Sequence, residues 1–460
     1  MSQCTSQEIA TFRDPAGSLR IEGDHVLRTV HAGYAAESLR FLKSDLARRW
    51  TDQGRLVQSQ VLSAEEDQPL LLEHPRVFFP SYPWEWTPGQ WVAAGELTLE
   101  LCGQLLREGW ILKDATPLNI LFEGSRPVFV DLLSIERRDP GSPLWLAYGQ
   151  FARTFLLPLA ANKYLGWPLA ATLNRRDGYE PVDLYPHLSS LERWSAPLRS
   201  LVTLPYLLES RGRGAGATPK LQQDPEIAGE VLQHNLRGFG KTLHSLEPKG
   251  RDSRWTGYQT GADHYTDKER QQKQEFVDRA MQLLRPAAVL DIGGNTGQYS
   301  RIAAGVGARV VAWDTDVASS DLNWREARAA GLPILPLVAD AARPTPAVGW
   351  CNAESLTLLD RARGRFDCVM MLGILHHLLL ADQIPMADVA TLLASLTNRS
   401  SIVEWVPKTD VRYIDLCRGR DELYQHLNEE FFVQQFTRHF TLAAREPLTN
   451  GRVLFLFEKT

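Results

Sequence analysis

The fold of this protein is decided by the stretch Val289-Leu290-Asp291-Ile292-Gly293-Gly294-Asn295-Thr296-Gly297-Gln298-Tyr299-Ser300. The apolar run at 287–290 predicts a buried parallel strand, and residues 291–297 predict a glycine-rich turn that leads into a helix. Glycines permit tight backbone geometry and close approach of a ligand, and the helix start behind them favours a charged or polar group. Such a turn also serves as an ordinary strand-to-helix connection, so its meaning depends on the residues that follow.

Strand and helix signals alternate after this turn, which is typical of a doubly wound parallel α/β sheet. The further predicted strands are 309–313, 333–338, 367–371 and 401–405, followed by a final pair at 440–443 and 452–457. Asp314 follows the second strand and Asp340 the third. Because ligands bind beyond the carboxyl ends of such strands, we expect Asp314 to accept ribose hydroxyls and Asp340 an adenine amino group. A dinucleotide-binding oxidoreductase would use Asp314 equally well.

The order of these motifs resembles that of class I S-adenosylmethionine-dependent methyltransferases, whose fold is a Rossmann-like doubly wound sheet. The resemblance rests on Asp291-x-Gly293-x-Asn295-x-Gly297, on the two strand-end aspartates, and on the strand opened by Phe366-Asp367 that leads to Leu375-His376-His377-Leu378. The antiparallel-looking final pair of strands also fits this family. The resemblance covers about residues 255 to 460 and departs from the family at Asn295, where glycine is frequent.

This resemblance implies a binding site for S-adenosyl-L-methionine. The residues that it places along the cofactor are Asp291, Gly293, Gly294, Asn295, Gly297, Asp314, Asp340, Ala341, Leu372 and Gly373. It also implies that Tyr258 and Tyr265 cover the carboxylate side of the cofactor. The site is expected to contain no metal.

Two adjacent histidines, His376 and His377, lie near the expected acceptor pocket. A neutral imidazole takes a proton from a hydroxyl or an amine near pH 7, so both are candidate catalytic bases, with His376 preferred. One of two adjacent helical residues usually packs inward instead. Glu404, at the end of the fifth strand, either orients the acceptor or caps a loop, and pocket roles for Trp350 and Glu354 are a further hypothesis.

A candidate second site lies in the first half of the chain, where a strand and a hairpin carry Asp114, Asn119 and Asp131 at their ends. Such oxygen-bearing groups suit a hydroxyl and a divalent metal. Their spacing resembles the catalytic core of protein kinases, which implies a catalytic Asp114, a metal-binding Asn119 and Asp131, and ATP with magnesium. The alternative is that these side chains cap turns.

Several positions depart from the kinase pattern. Leu112 stands where the family usually has histidine, and Leu132-Leu133 replace Phe-Gly. The first 90 residues show neither a GxGxxG motif nor a clear strand lysine. Phosphate positioning is therefore the part of the resemblance that these residues support least.

The predicted organisation is an α+β kinase-like domain with a helical lobe at 1–245, a linker and cofactor-covering segment at 246–265, and a methyltransferase domain at 266–460. Within the first domain the patterns predict a hairpin around Gly23, a helix at 35–50, strands at 55–57 and 70–72, and a helix at 96–108. The aromatic segment 78–86 either packs on a core or forms a recognition surface. The segments 113–117 and 344–350 also resemble a bacterial group of two-part methyltransferases related to the nodulation protein NoeA.

Composition narrows the functional classes. The chain has 50 Lys and Arg against 55 Asp and Glu, a formal charge of -5, which disfavours binding of bulk nucleic acid. Five widely spaced cysteines lack paired metal-ligand spacing and predict buried free thiols in a reducing cytoplasm. The first residues do not resemble a signal peptide, and no apolar run approaches the ~20 residues of a membrane helix. We therefore expect a soluble, cytoplasmic protein without a membrane partner.

The sequence predicts a methyltransferase that methylates an oxygen or nitrogen of a small-molecule, sugar or peptide acceptor, which the N-terminal domain binds or positions. A second hypothesis is a bifunctional methyltransferase and ATP-dependent kinase. A third is a noncatalytic scaffold that binds adenosylmethionine. The oligomeric state is left open.

Overall fold

The computed structural model describes residues 7–8, 13–65, 67–210, 224–248 and 266–460. Contacts between Cα atoms divide the chain into two units, Met1–Lys249 with Val348–Ser355 and Gly250–Ala347 with Leu356–Thr460. Residues 249–265 lie outside the described residues. They include most of the predicted linker and both Tyr258 and Tyr265. None of the described helices has the length and apolar character needed to cross a membrane.

The first unit contains a five-stranded antiparallel sheet and two smaller pairs of strands. The sheet strands are β1 (Gln7–Glu8), β2 (Gly17–Glu22), β3 (His25–Val30), β4 (Gln60–Ser63) and β5 (Leu70–Pro75), in the order β1-β2-β3-β5-β4. The smaller pairs are β6 (Trp110–Leu112) with β9 (Ile135–Arg137), and β7 (Ile120–Glu123) with β8 (Arg126–Phe129). The hairpin predicted around Gly23 is confirmed, because β2 pairs with β3 and Gly23 has a φ of 59°. The strand predicted at 55–57 is wrong, since Leu56 makes an isolated bridge to Phe129 instead.

The helices of the first unit surround these strands. They are α1 (Ala32–Leu42), α2 (Asp45–Asp52), α3 (Pro88–Arg107), α4 (Tyr148–Phe151), α5 (Leu157–Ala160), α6 (Pro181–Leu184), α7 (Ser190–Arg193), α8 (Ala196–Leu198), α9 (Leu204–Ser210) and α10 (Pro225–Leu246). The single helix predicted at 35–50 is two helices, because Ser44 adopts an extended conformation and its side chain caps α2 by accepting from the Ala47 amide. This unit is α+β as expected, and its kinase resemblance stays a prediction.

The aromatic segment at 78–86 packs into the first unit. Phe79, Trp84 and Trp86 are buried, and the indole nitrogen of Trp86 donates to the Ser81 hydroxyl at 2.9 Å. The helix that follows begins at Pro88, earlier than predicted, because Thr87 and Gln90 form a reciprocal capping box. These contacts correspond to the core-packing alternative for this segment.

The second unit is built on a seven-stranded sheet. Its strands are β10 (Ala288–Ile292), β11 (Arg309–Asp314), β12 (Ile334–Val338), β13 (Phe366–Met371), β14 (Thr397–Trp405), β15 (Phe440–Pro447) and β16 (Val453–Lys459). The order is β12-β11-β10-β13-β14-β16-β15, and β16 is antiparallel to both neighbours. The predicted doubly wound sheet is confirmed. Its order reverses between β10 and β13, so their carboxyl ends border the crevice where such sheets bind ligands.

Helices flank this sheet and complete its core. They are α11 (Asp267–Leu284), α12 (Gln298–Gly305), α13 (Val317–Ala329), α14 (Leu358–Ala362), α15 (Leu375–Leu380), α16 (Met386–Leu396), α17 (Val411–Cys417) and α18 (Glu429–Phe436). All residues of β10 are buried, and Phe276 and Met281 of α11 pack into the same core. An apolar core thus holds the central strands in place beneath the crevice.

The cysteines follow the predicted pattern with one exception. Cys102, Cys368 and Cys417 are buried free thiols, whereas Cys351 is exposed. The prediction of burial is therefore wrong for Cys351, which lies in a short irregular segment with a positive φ. Cys4 lies outside the described residues.

Candidate cofactor and acceptor site

The glycine-rich turn after β10 is held against β11 by its backbone. The amides of Gly293 and Gly294 donate to the Trp313 carbonyl at 2.8 and 3.1 Å. Gly297 has a φ of 82°, and a Cβ at this position would lie 2.1 Å from the Asn323 side-chain oxygen. Only glycine fits there, because any side chain would meet both backbone strain and a direct clash.

Asp291 anchors the turn from within the core. Its side chain is 1% exposed and accepts a hydrogen bond from the Ser300 hydroxyl at 2.6 Å. Burial raises the pKa of this carboxyl to about 6, although the Ser300 hydrogen bond opposes the shift. The pairing joins the end of β10 to the first turn of α12, so the role of Asp291 in the structure is to hold the turn.

Asp314, at the end of β11, is oriented by backbone amides. One carboxylate oxygen accepts from the Asn295 amide and the other from the Asp316 amide, both at 2.8 Å. Burial raises the pKa of Asp314, while these hydrogen bonds lower it. Each oxygen retains a further lone pair, so the carboxylate is a fixed acceptor for hydroxyl groups.

A cavity of about 520 Å³ lies at the carboxyl ends of these strands. The predicted site residues that line it are Gly293, Gly294, Asn295, Asp314, Asp340, Ala341, Leu372, Gly373, His376 and His377. Asp291, Gly297 and Glu404 lie behind its wall. The structure thus brings the cofactor and acceptor candidates of the second unit to one place.

Two predicted pocket residues lie elsewhere. Trp350 and Glu354 belong to the segment that clusters with the first unit. Trp350 is 68% exposed. Glu354 accepts hydrogen bonds from Arg13, at 2.8 Å, and from Arg176. These contacts give Glu354 a structural ion-pairing role in the first unit.

Two ion pairs lie among the residues that line the cavity. Asp340 accepts from the Ala342 amide at 2.8 Å and from Nη1 of Arg343 at 3.0 Å. Nη2 of Arg343 donates to Asp382 at 2.7 Å. Arg343 therefore links the loop after β12 to the segment after α15.

A buried network of charged side chains lies behind Gly373, which lines the cavity. Nζ of Lys273 is 2.7 Å from Oε2 of Glu404, and Nη1 of Arg452 is 3.4 Å from Oε1 of the same carboxylate. Nε of Arg452 also pairs with Asp410 at 2.8 Å. A Cβ at Gly373 would lie 3.5 Å from Oε2 of Glu404, so this network lies directly behind that residue. Glu404 is fully buried and compensates two cations, which is a structural use of the predicted catalytic carboxylate.

The two histidines, His376 and His377, line the cavity. His376 is 3% exposed, and neither of its ring nitrogens has a hydrogen-bond partner within the described part of the chain. Burial, followed by the neighbouring His377, lowers the pKa of His376 to about 3. The pKa of His377 is also lowered, by burial and then by Arg412. Both imidazoles are therefore neutral near pH 7.

The cavity lining also contains residues that were not predicted from the sequence, among them the cationic Lys273, Arg343 and Arg412. Lys273 lies on the same face of α11 as Phe276 and Val277, and a lysine on an apolar face is a usable signal. Arg412 follows the carboxyl end of β14, the edge where such sheets bind ligands. Arg343 follows Asp340 by three residues but pairs across the fold, which no local pattern indicates.

The candidate second site is assembled in the first unit, but a cation engages one of its carboxylates. Nδ2 of Asn119 donates to the Asp114 carbonyl at 3.4 Å. Nη1 of Arg28 lies 3.4 Å from Asp131, and Nη2 donates to the Val130 carbonyl at 3.2 Å. Burial raises the pKa of Asp131, and Arg28 opposes this effect. Arg28 thus faces the carboxylate that a metal would need.

Asp114 also borders a second cavity of about 570 Å³, whose lining includes Lys113, Gln150 and Arg153. Within the described residues, no group of three or more histidine, cysteine, aspartate or glutamate side chains is arranged to hold a metal ion.

Comparison with known proteins gives one relative that spans both units. No protein-family model matches the chain. This chain is 29% identical to the nodulation protein NoeA of Rhizobium meliloti strain 1021 over 465 residues, which cover 98% of this chain and 95% of NoeA.

Solved methyltransferase structures are similar to part of the chain. The magnesium protoporphyrin IX methyltransferase ChlM of Synechocystis PCC 6803 with bound SAM is 18% identical, with a TM-score of 0.30, over 43% of this chain and 87% of ChlM. The N-methyltransferase NodS of Bradyrhizobium japonicum WM9 is 12% identical, with a TM-score of 0.31, over 42% of this chain and 97% of NodS. Several of the similar structures are thus methyltransferases, and ChlM and NodS have also been solved with SAH.

Proposed function

We propose that this chain is an S-adenosylmethionine-dependent methyltransferase whose reaction takes place in the cavity of the second unit. The observation that carries the proposal is the convergence of the glycine-rich turn, Asp314 and Asp340 on one cavity at the point where the strand order reverses. A simple strand-to-helix connection requires neither a cavity nor a carboxylate fixed by two backbone amides.

The residues present fit the parts of this cofactor. Asp314 accepts the ribose hydroxyls, because its oxygens are already aligned by the Asn295 and Asp316 amides. Asp340 and Ala341 flank the adenine. Lys273, whose ammonium group lies at the wall beside Gly373, is paired with Glu404 and supports the wall next to the methionine end.

Bound S-adenosylmethionine supplies an electrophilic methyl group on a positively charged sulfur, which keeps the bonding electron pair as the methyl group leaves. The protein aligns the acceptor for this displacement. His376 accepts a hydrogen bond from the O–H or N–H of the acceptor, because its imidazole is buried, neutral and without a partner among the described residues. With a pKa of about 3 it is a weak base, so we assign it orientation of the nucleophile, and the proton that the acceptor loses passes to water. His377 and Glu404 then support this wall.

We further propose that the acceptor is a small molecule, a sugar or a peptide, and that the first unit binds or positions it. The relationship to NoeA supports a joint role of the two units, because the similarity runs along 98% of this chain.

Isothermal titration of the full chain with S-adenosylmethionine tests the cofactor assignment. We expect Asp314→Ala to raise the Kd about 100-fold, because two hydrogen bonds to a charged acceptor are lost. Asp278→Ala is the matched control, since Asp278 is exposed on α11. Absence of binding by the wild type, or equal Kd values for all three proteins, would contradict the assignment.

A bifunctional methyltransferase and ATP-dependent kinase is the second candidate. Its support is the assembly of Asp114 and Asn119 beside a separate cavity, and the ion pair of Arg28 with Asp131 argues against it. Magnesium and ATP would raise the melting temperature of the wild type but not of Asp131→Ala if this candidate is correct. Unchanged melting of both proteins would eliminate it.

A noncatalytic scaffold that binds adenosylmethionine is the third candidate. An assay of labelled methyl transfer into a fractionated metabolite extract distinguishes the scaffold from an active methyltransferase. Tight cofactor binding without any labelled product would favour the scaffold.

A further inference from the structure

We propose that the acceptor carries a carboxylate, which pairs with Arg412, next to the hydroxyl or amine that contacts His376. This inference rests on the proposed methyltransferase function and specifies the substrate class for the same cavity. Arg412 and His376 both line the cavity, on the side formed by α15 and α17.

Arg412 is a cation whose potential partners are already engaged. Asp410 pairs with Nε of Arg452 at 2.8 Å, and Asp382 accepts from Arg343 at 2.7 Å. Glu404 is bound by Lys273 at 2.7 Å. Within the described residues, Nε of Arg412 is buried and has no hydrogen-bond partner. A half-buried guanidinium whose Nε has no hydrogen-bond partner among the described residues favours a ligand that brings a carboxylate.

The position of Arg412 is fixed by the network behind it. Oδ1 of Asp410 caps α17 by accepting from the Arg412 amide at 2.8 Å, while its other oxygen holds Arg452. Asp410 thereby sets the first turn of the helix from which Arg412 extends. Because the backbone is held, binding an acceptor requires ordering of the Arg412 side chain alone.

His376 is the second, independent sign of a polar ligand. It is 3% exposed, and both ring nitrogens lack partners within the described residues although they are buried. A buried nitrogen without a partner has a free-energy cost that a ligand O–H or N–H removes. The acceptor therefore has a hydrogen-bond donor near its anionic group.

The charge of the site favours a carboxylate over a phosphate. A guanidinium group donates two parallel hydrogen bonds, in its own plane, to the two oxygens of one carboxylate. A phosphate dianion near pH 7 carries more charge than Arg412 alone compensates, and the neutral histidines add none. The other cations of the lining, Arg270, Lys273 and Arg343, are each paired with a carboxylate. The expected acceptor is an acid that also carries a hydroxyl or amino group and is a net anion near pH 7, and its carboxylate is retained in the product.

Methyl labelling of fractionated metabolites tests the proposal with the full chain. An extract of the organism that encodes the chain is passed over an anion exchanger at neutral pH and divided into three parts. Neutral and cationic compounds flow through, dilute formic acid releases carboxylates because it protonates them, and salt releases phosphates and sulfates. Each part is incubated with the protein and methyl-labelled adenosylmethionine. We expect label in the part released by acid.

Variants at position 412 identify the cation responsible. Arg412→Met should lower labelling of the acid-released part roughly 10- to 100-fold, mainly through the KM for the acceptor, because a charge-assisted pair is lost. Arg412→Lys should retain an intermediate rate, and the Kd for adenosylmethionine should stay unchanged in both. Arg438→Met is the control, because Arg438 is exposed and lies outside the cavity lining.

The outcomes separate this proposal from the methyltransferase assignment. Label confined to the flow-through or to the salt-released part overturns the carboxylate and leaves the methyltransferase standing. Unchanged labelling by Arg412→Met also overturns it, as does cofactor binding without label in any part. Loss of both cofactor binding and labelling in the wild type refutes the methyltransferase itself.

Discussion

In the second unit, Asp314 accepts hydrogen bonds from two backbone amides, whereas in the first unit Asp131 faces the guanidinium of Arg28. Backbone amides orient a carboxylate but leave its charge uncompensated, and Asp314 lines a cavity. A guanidinium compensates that charge directly. The same residue type is therefore prepared for a ligand in one unit and engaged by the chain in the other.

The comparison shows that proximity of polar groups does not by itself define a site. Asp114, Asn119 and Asp131 have the sequence spacing of a phosphotransfer site, and two of them are in contact through the Asn119 side chain. What distinguishes Asp314 from Asp131 is unfilled hydrogen-bonding capacity that faces a cavity. Four experiments address this difference.

Gly297→Val should have the largest effect. The new side chain would clash with Asn323 and adopt an unfavourable φ of 82°, so the turn must change its path. We expect the Kd for adenosylmethionine to rise by at least about 100-fold, measured by isothermal titration. Gly305→Ala is the control, since its Cβ meets open space at the end of α12. Equal binding by both variants would show that the turn does not hold the cofactor.

His376→Gln should change how stability depends on pH. The pKa of His376 is about 3 in the folded chain against 6.5 for a solvated imidazole, so between these values the unfolded state binds more protons. The free energy of unfolding therefore falls as pH decreases through this window. From about pH 7 to about pH 5 the wild type should lose about 2 kcal/mol more than the variant, measured by urea unfolding.

The titration of Asp291 changes the free energy of unfolding in the opposite direction in the same pH range. Its pKa rises from 3.8 to about 6, so it contributes stability at low pH that is lost as pH rises. This contribution is common to the wild type and the variant and cancels in their difference. His426→Gln, at an exposed histidine, is the control, and identical pH profiles of wild type and His376→Gln would refute the burial argument.

Asp131→Ala tests the first unit. It removes the partner of Arg28, whose side chain is 7% exposed, and should lower the free energy of unfolding by about 1 to 2 kcal/mol. The Kd for adenosylmethionine should not change. Asp52→Ala, at an exposed position, provides the comparison. A loss of cofactor binding in Asp131→Ala would break the contrast drawn between the units.

Arg343→Met should have the smallest effect. The side chain of Arg343 is 72% exposed, so solvent screens its pairs with Asp340 and Asp382. We expect the Kd for adenosylmethionine to rise about two- to fivefold at low salt and the difference to vanish at high salt. A large effect that persists in high salt would assign Arg343 a direct contact with the ligand.

The parts of the site that the sequence predicts are those governed by local rules. Gly297, Asp314 and His376 lie in the segments that follow predicted strands, and strand ends of a doubly wound sheet meet at one edge. Lys273 and Arg28 were missed because their partners Glu404 and Asp131 are 131 and 103 residues away in the sequence. Such pairings depend on tertiary packing, which local patterns do not encode. The split of the helix at Ser44 was missed for the opposite reason, since a single capping hydrogen bond overrode a continuous apolar pattern.

The buried charge network behind Gly373 has a consequence for the biosynthesis of the protein. Lys273 and Glu404 leave the ribosome well before Arg452, which supplies a second cation to Glu404 and the partner of Asp410. Until Arg452 arrives with β16, Asp410 lacks its cation and the first turn of α17 lacks its anchor. The charge network behind Gly373 is therefore complete only once β16 has joined the sheet.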